Sequence, residues 1–299
     1  MNKVKEKLRN GGTVMVFNPN FPSAALAEHA GALGFDVAFI DCEHGPASFE
    51  RAEELARAAR AAGITSLLRP WTADRAIITR FLDCGVGGIQ FPGVETAAAA
   101  REAVEMVRTA RGKRFDDTLV VVMIESTKAI NNLPEIVAVK GLDAVVIGLS
   151  DLARDLGHAG ENQHPEVRRA VDRIIGIIHQ ADGAVAGFNL HLWEEGRELK
   201  KQGVRWFTIH AKTMLARGAR ELFGLSLGGA WDLLRDVRQW RQQRRGRLAT
   251  NFAEAGAFFC SREGLAQPDV QLHFVVAQLV QHGRELVGGH GFSLHVCAL

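Results

Sequence analysis

Residues 34–63 read GFDVAFIDCEHGPASFERAEELARAARAAG, and this stretch decides the fold. It holds one complete strand–helix unit. Residues 37–41 form an apolar run closed by Asp41, with no polar alternation, as in a strand buried on both faces. A polar turn follows, Cys42-Glu43-His44-Gly45-Pro46. Ser48 then stands at a cap position ahead of 49–62, whose apolar residues recur at helical spacing, and Gly63 closes the helix. The unit recurs. Strand-like runs lie at 13–17, 37–41, 65–69, 88–91, 119–125, 144–147, 184–187 and 206–210. Helical patterns lie at 24–33, 49–62, 74–83, 96–109, 128–139, 165–181, 192–202 and 213–222. Ser23, Thr72 and Thr96 are further candidate caps, Pro165 suits a first helical turn, and Gly34, Gly85 and Gly203 are further terminators. Eight units in about 220 residues imply an α/β fold, the (β/α)8 TIM barrel. A doubly wound open sheet is the competitor. It uses fewer units, and its dinucleotide-binding form needs G-x-G-x-x-G after the first strand, where Asn18-Pro19-Asn20-Phe21-Pro22 stands instead.

The pattern stops near residue 222, so the 299 residues divide into a 1–222 barrel and a 223–299 α+β appendage. In the appendage, 223–229 reads as a loop. Residues 230–243 read as a helix whose polar face carries Arg235, Arg238 and Arg241, with Arg244 just beyond. Strand-like runs follow at 270–277 and 291–298. Composition narrows the function. Hydrophobic residues make 47% and charged residues 23%, which suits a globular chain with a large core. The 36 basic and 34 acidic residues nearly cancel, so nucleic-acid binding through bulk charge is not expected. No apolar run reaches the roughly 18 residues of a membrane helix. The charged start Met1-Asn2-Lys3-Val4-Lys5-Glu6-Lys7 has no apolar segment behind it, so no secretory leader is expected. Cys42, Cys84, Cys260 and Cys297 form no CxxC pair and read as reduced thiols of a cytoplasmic protein.

In such a barrel, chemistry sits where the strands end. Two acids, a histidine and an arginine converge there. His44 follows the second strand, Arg69 ends the third, Glu125 ends the fifth, and Gly148-Leu149-Ser150-Asp151 follows the sixth. Glu125 and Asp151 offer oxygen ligands with no Cys/His cluster nearby, which favours a divalent ion such as Mg2+ or Mn2+. Two carboxylates leave room for a chelating 2-oxo acid, whose enolate the ion would stabilise. His44 suits general acid/base work near neutral pH. Arg69 suits an oxyanion or a substrate carboxylate. Asp41, Glu43 and Asp83 are the acids available to orient His44. The tight turn at Gly148 and Leu149 offers backbone N–H groups to a carboxylate. Each residue also has an ordinary reading: helix-start acids, a loop histidine, a barrel-mouth ion pair.

Together these segments resemble the HpcH/HpaI aldolase family, metal-dependent pyruvate aldolases related to the citrate lyase β-subunit. The resemblance covers about 1–222. It rests on Phe39-Ile40-Asp41-Cys42-Glu43-His44, Leu68-Arg69-Pro70, Phe81-Leu82-Asp83-Cys84-Gly85, Met123-Ile124-Glu125-Ser126, Ile147-Gly148-Leu149-Ser150-Asp151-Leu152 and His164-Pro165-Glu166-Val167. It implies an oligomeric (β/α)8 barrel that cleaves a 4-hydroxy-2-oxo acid reversibly to pyruvate and an aldehyde. His44 would be the base and Arg69 the oxyanion-stabilising residue, with Asp83 raising the basicity of His44. Glu125 and Asp151 would hold the metal, and Ser150 would lie at the substrate. Acyl-CoA condensation to citrate or a malyl product, and a non-catalytic binding barrel, are the alternatives. The chain departs from the family at Met123, where a substrate-contacting Gln is usual, and at Arg111-Gly112-Lys113-Arg114-Phe115-Asp116-Asp117, which replaces a longer mouth segment. The tail resembles an internal stretch of the substrate domain of glucose–methanol–choline oxidoreductases. That family's FAD fingerprint is missing, so no flavin is expected.

Overall fold

The computed structural model describes residues 2–190, 193–221, 253–259, 270–275, 279–280, 285–286 and 293–298. Its contacts divide the chain into two units, Met1–Lys212 and Thr213–Leu299.

The first unit is a closed barrel of eight parallel strands in the order β1 to β8. These are β1 (Val14–Asn18), β2 (Val37–Asp41), β3 (Thr65–Arg69), β4 (Gly88–Phe91), β5 (Leu119–Ile124), β6 (Ala144–Ile147), β7 (Val185–Leu190) and β8 (Trp206–His210). Closure comes from β8 pairing with β1, Val14 opposite Trp206 through Asn18 opposite His210. Around them run α1 (Lys3–Arg9), α2 (Ala24–Ala32), α3 (Phe49–Ala61), α4 (Arg75–Asp83), α5 (Ala97–Arg111), α6 (Thr127–Asn131), α7 (Leu133–Val137), α8 (Leu149–Asp155), α9 (Pro165–Gln180) and α10 (Trp193–Lys201); α11 (Ala211–Glu221) follows β8 and falls mostly in the second unit. The (β/α)8 expectation holds.

Local chemistry explains where these elements begin and end. Ser23, Ser48 and Thr96 cap α2, α3 and α5, each side chain accepting a backbone N–H of the first turn. Pro165 opens α9 at its first position. Three details differ from the sequence reading. Asp74, not Thr72, caps α4, accepting from Ala76 and Ile77 at 2.9 and 3.0 Å; a carboxylate two residues nearer the helix competes better. The helix expected over 128–139 is two helices broken at Asn132, because Pro134 lacks an N–H and opens α7 instead. The short α8 occupies what reads in the sequence as a bare turn.

The pleat sets what faces the barrel axis. Val14, Val16, Val37, Phe39, Leu67, Leu119, Val121, Met123, Ala144, Val146, Val185 and Trp206 form one buried cluster. Two residues on from these positions, with the same parity, stand Asn18, Asp41, Arg69, Glu125, Gly148 and Thr208. The interior is therefore apolar in its lower and middle layers and polar at the strands' C-terminal ends. The opposite end is closed by α1, whose Val4 and Leu8 join the same cluster. Lys5 pairs with Asp143 at 3.1 Å, and the Arg205 guanidinium donates to the Leu8 carbonyl at 2.7 Å. Among the described residues, α1 thus covers the end opposite to the one where the polar residues gather.

In the second unit, β10 (Val270–Val275) lies between β9 (Ala253–Phe259) and β13 (Ser293–Ala298) in an antiparallel sheet, and β11 (Leu279–Val280) pairs with β12 (Glu285–Leu286). The described parts of both strand-like runs read in the tail are strand; residues 276–277 and 291–292 lie outside the described residues. The loop at 223–229 and the arginine-rich helix at 230–243 lie outside the described residues. No described helix is long and apolar enough to cross a membrane.

Candidate active site

The site is built on the ends of β2, β3, β5 and β6. Asp41 and Arg69 end adjacent strands and stand directly opposite each other in register. Arg69 Nε donates to Asp41 Oδ1 at 3.0 Å and Nη2 to Oδ2 at 2.7 Å, a bidentate pair. Arg69 Nη1 also lies 2.9 Å from Glu43 Oε2. Both partners of the first pair are largely buried, at 12% and 17% side-chain exposure. Burial alone would raise the Asp41 pKa. The hydrogen bond and charge of Arg69, with the N–H groups of His44 and Glu43, outweigh burial and hold the carboxyl below its usual range. Burial likewise pulls the Arg69 pKa down, and Asp41, Glu43 and Glu125 overcome it, so the guanidinium stays charged.

The loop after β2 is folded by the same carboxylate. Asp41 Oδ1 accepts the N–H groups of Glu43 and His44 at 3.1 and 3.2 Å. Gly45 passes so close to the Asp41 carbonyl that any Cβ there would clash. The turn delivers His44 to the mouth with its side chain 67% exposed and Nε2 3.8 Å from Glu43 Oε2. Of the three acids considered as partners of the imidazole, Glu43 is the neighbour. Asp41 holds the backbone N–H rather than the ring. Asp83 closes α4 at the opposite end of the barrel, ahead of β4, near Cys84 and Arg111. Within this chain it does not reach His44, because a barrel helix runs back to the end where the next strand starts.

Glu125 sits one residue past β5, and its Oε2 accepts the Gly93 N–H at 2.7 Å. Burial raises its pKa; the Gly93 N–H lowers it; the charges of Asp151 and Glu43 raise it again, and Arg69 lowers it. Gly148 makes room for this carboxylate, since a Cβ there would collide with Glu125 Cγ and Oε1. The Gly148 N–H is occupied, donating to the Ile124 carbonyl at 3.0 Å. The backbone donors this turn still offers are therefore the N–H groups that open α8, at Leu149 and Ser150. Leu149 is buried and Ser150 exposed. Asp151 lies in the first turn of α8, with Oδ1 accepting from Arg154 Nη1 at 2.7 Å. Two carboxylates of mutually unfavourable charge, one half-buried and held by a backbone donor, fit a hard divalent cation.

Two contacts at the site have no sequence signature. Gln90 Nε2 donates toward Met123 Sδ at 3.0 Å, and Arg69 Nη1 lies 4.0 Å from the same sulfur. The floor of the site is thus a thioether with a buried amide against it. At the seam of the barrel, Asn20 adopts φ 60°, donates to His210 Nδ1 at 3.1 Å and accepts the Lys212 N–H at 2.9 Å. The αL conformation, which asparagine tolerates, joins the ends of β1 and β8.

Residues 13–206 match the sequence profile of the family described as HpcH/HpaI aldolase/citrate lyase. A 2-keto-3-deoxy-L-rhamnonate aldolase of Escherichia coli strain K12 is 30% identical, the match covering 72% of this chain and 88% of the relative. The crystal structure of an HpcH/HpaI aldolase from Desulfitobacterium hafniense superimposes with a TM-score of 0.65 at 27% identity, over 72% of this chain and 94% of that one. A citrate synthase structure, SbnG, shares the fold with a TM-score of 0.67 at 24% identity, over 80% of this chain and 98% of that one.

Proposed function

The chain belongs to the HpcH/HpaI aldolase/citrate lyase family, and on that footing we propose that it is a divalent-metal-dependent lyase cleaving a 4-hydroxy-2-oxo acid to pyruvate and an aldehyde. The observation that carries this reading is the continuous chain Asp41–Arg69–Glu43–His44 beside Glu125 at the open end of the barrel.

Glu125 and Asp151 would hold Mg2+ or Mn2+. When bound, the ion supplies Lewis-acid stabilisation of the enolate charge. His44, exposed at the mouth, takes the proton of the C4 hydroxyl directly or through one water. The C3–C4 bond then breaks, its electron pair moving into the enolate, and the aldehyde departs. The proton on His44 returns to C3 to give pyruvate. Glu43 supports the imidazolium formed between these steps. Arg69 meets the growing negative charge. Its five donors exceed the three contacts it makes with Asp41 and Glu43, so capacity remains for substrate. Its orientation is fixed before substrate arrives, which removes reorganisation cost from the transition state. Leu149 and Ser150 N–H groups receive the substrate carboxylate.

Pyruvate release from a panel of 4-hydroxy-2-oxo acids, with Mg2+ or Mn2+ and with EDTA, tests the proposal. Turnover that stops in EDTA and returns with metal is expected. Turnover indifferent to EDTA, or to Glu125→Gln, would overturn the metal assignment.

A further inference from the structure

Beyond Asp151 the chain builds a second cluster of metal-ligating side chains, separate from Glu125. His158, Glu161 and His164 each bring one ligand atom to within 4.8 Å of the others. It is the only such group among the described residues. Their spacing of three follows from the backbone. The Glu161 N–H donates to the His158 carbonyl at 2.9 Å, and the His164 N–H to the Glu161 carbonyl at 2.8 Å. Two consecutive tight turns therefore bring positions 158, 161 and 164 to one side. Gly157 and Gly160, at φ 83° and 82°, supply the left-handed residues that such turning needs.

The two imidazoles are already together, stacked with centroids 3.5 Å apart. His158 Nε2 lies 3.0 Å from Glu166 Oε2. A carboxylate accepting from Nε2–H fixes the tautomer that leaves the Nδ1 lone pair free, the arrangement that carboxylates impose on metal-binding histidines. His164 Nδ1 accepts the Glu166 N–H at 3.3 Å, a long contact that ligation through either ring nitrogen would replace. In the same loop, the buried Oδ1 of Asn162 has no hydrogen-bond partner among the described residues. A protein loop of nine residues rarely leaves such an acceptor unless a further group completes it.

We propose that His158, Glu161 and His164 form a peripheral site for a borderline transition-metal dication such as Zn2+, distinct from the Glu125/Asp151 site. Two imidazoles and a carboxylate select Zn2+, Co2+ or Ni2+ over Mg2+, which takes oxygen ligands and keeps its waters. Bonds of about 2.1 Å place tetrahedral ligands about 3.4 Å apart, so closure from 4.8 Å asks for roughly an ångström of movement. Exposed Glu161 and a small rotation of the stacked rings supply it. The bound ion would staple the loop between α8 and α9.

The test uses the full chain carrying Glu125→Gln and Asp151→Asn, so that the oxygen site is disabled. It is titrated with Zn2+ by calorimetry, and with Co2+ by visible absorption. One equivalent of Zn2+ and a Co2+ ligand-field band are expected. Adding His158→Gln or His164→Gln should weaken Zn2+ by at least about tenfold and remove the band, since even an outer partner of a ligand costs that much. Glu161→Gln, at an exposed position where folding is not at stake, should do the same. Absence of the Zn2+ equivalent in the double variant, or its survival with either histidine replaced, would overturn the proposal.

Discussion

Arg69 decides what this site can do. Two carboxylates hold the guanidinium in one plane, and a lysine could keep the charge but not the fork. Arg69→Lys should lower kcat by about a hundredfold, as loss of an oriented donor does, with a smaller change in KM; steady-state kinetics on a cleaved 4-hydroxy-2-oxo acid checks it. Two carboxylates give opposite pH signatures. The Asp41 pKa is depressed, so its contribution to stability is present above the ordinary aspartate range and is lost as pH falls through the folded value. Asp41→Asn should cost about 3 kcal/mol at neutral pH, from a buried pair broken on one side, and the gap should close in acid; denaturant melts of both proteins across pH measure it. The Glu125 pKa is raised, so its ionised form costs stability in the metal-free chain, and that cost disappears as pH falls through the raised value. Metal affinity should fall over the same window, because only the ionised carboxylate ligates; Mg2+ or Mn2+ titrations from neutral to acid pH check the sign. At this scale the sequence shows side chains and hides backbone. His44, Arg69, Glu125 and Asp151 were visible as strand-end residues. The Gly93 N–H on Glu125 and the thioether of Met123 against Gln90 were not, since neither contact follows from residue type.

Among the elements, strands were the most legible. The runs at 37–41, 65–69, 88–91, 144–147 and 206–210 coincide with β2, β3, β4, β6 and β8 because strands buried on both faces carry unbroken apolar sequence. What misled was termini. α8 hid inside a Gly-Leu-Ser-Asp turn, while Asp83 closes a helix that returns to the end where β4 starts, as the alternation of strand and helix requires. The register of β5 against β6, Ile124 opposite Ile147, puts Glu125 beside Gly148, where no side chain is tolerated. Gly148→Ala should therefore displace Glu125 and weaken Mg2+ or Mn2+ binding at the proposed Glu125/Asp151 site by about a hundredfold, while leaving the far end of the barrel folded; calorimetric metal titration beside circular dichroism separates the two effects.

For the molecule as a whole, closure is complete within residues 14–210, and α1 seals the end opposite the site with Val4, Leu8 and the Lys5–Asp143 pair. Every strand of that circuit lies before residue 211, so a chain ending at residue 222 is expected to keep the proposed metal-dependent cleavage, measured as pyruvate release. The sheet of β9, β10 and β13 belongs to the second unit. The central claim is that this barrel generates a pyruvate enolate. It is tested most directly by incubating the protein with pyruvate in D2O, with Mg2+ or Mn2+, and following deuterium at C3 by mass spectrometry. This needs no knowledge of the aldehyde. The account predicts exchange that requires the ion and is lost in Glu125→Gln and strongly reduced in Arg69→Lys. A folded, metal-bound protein that leaves the C3 protons untouched would contradict it.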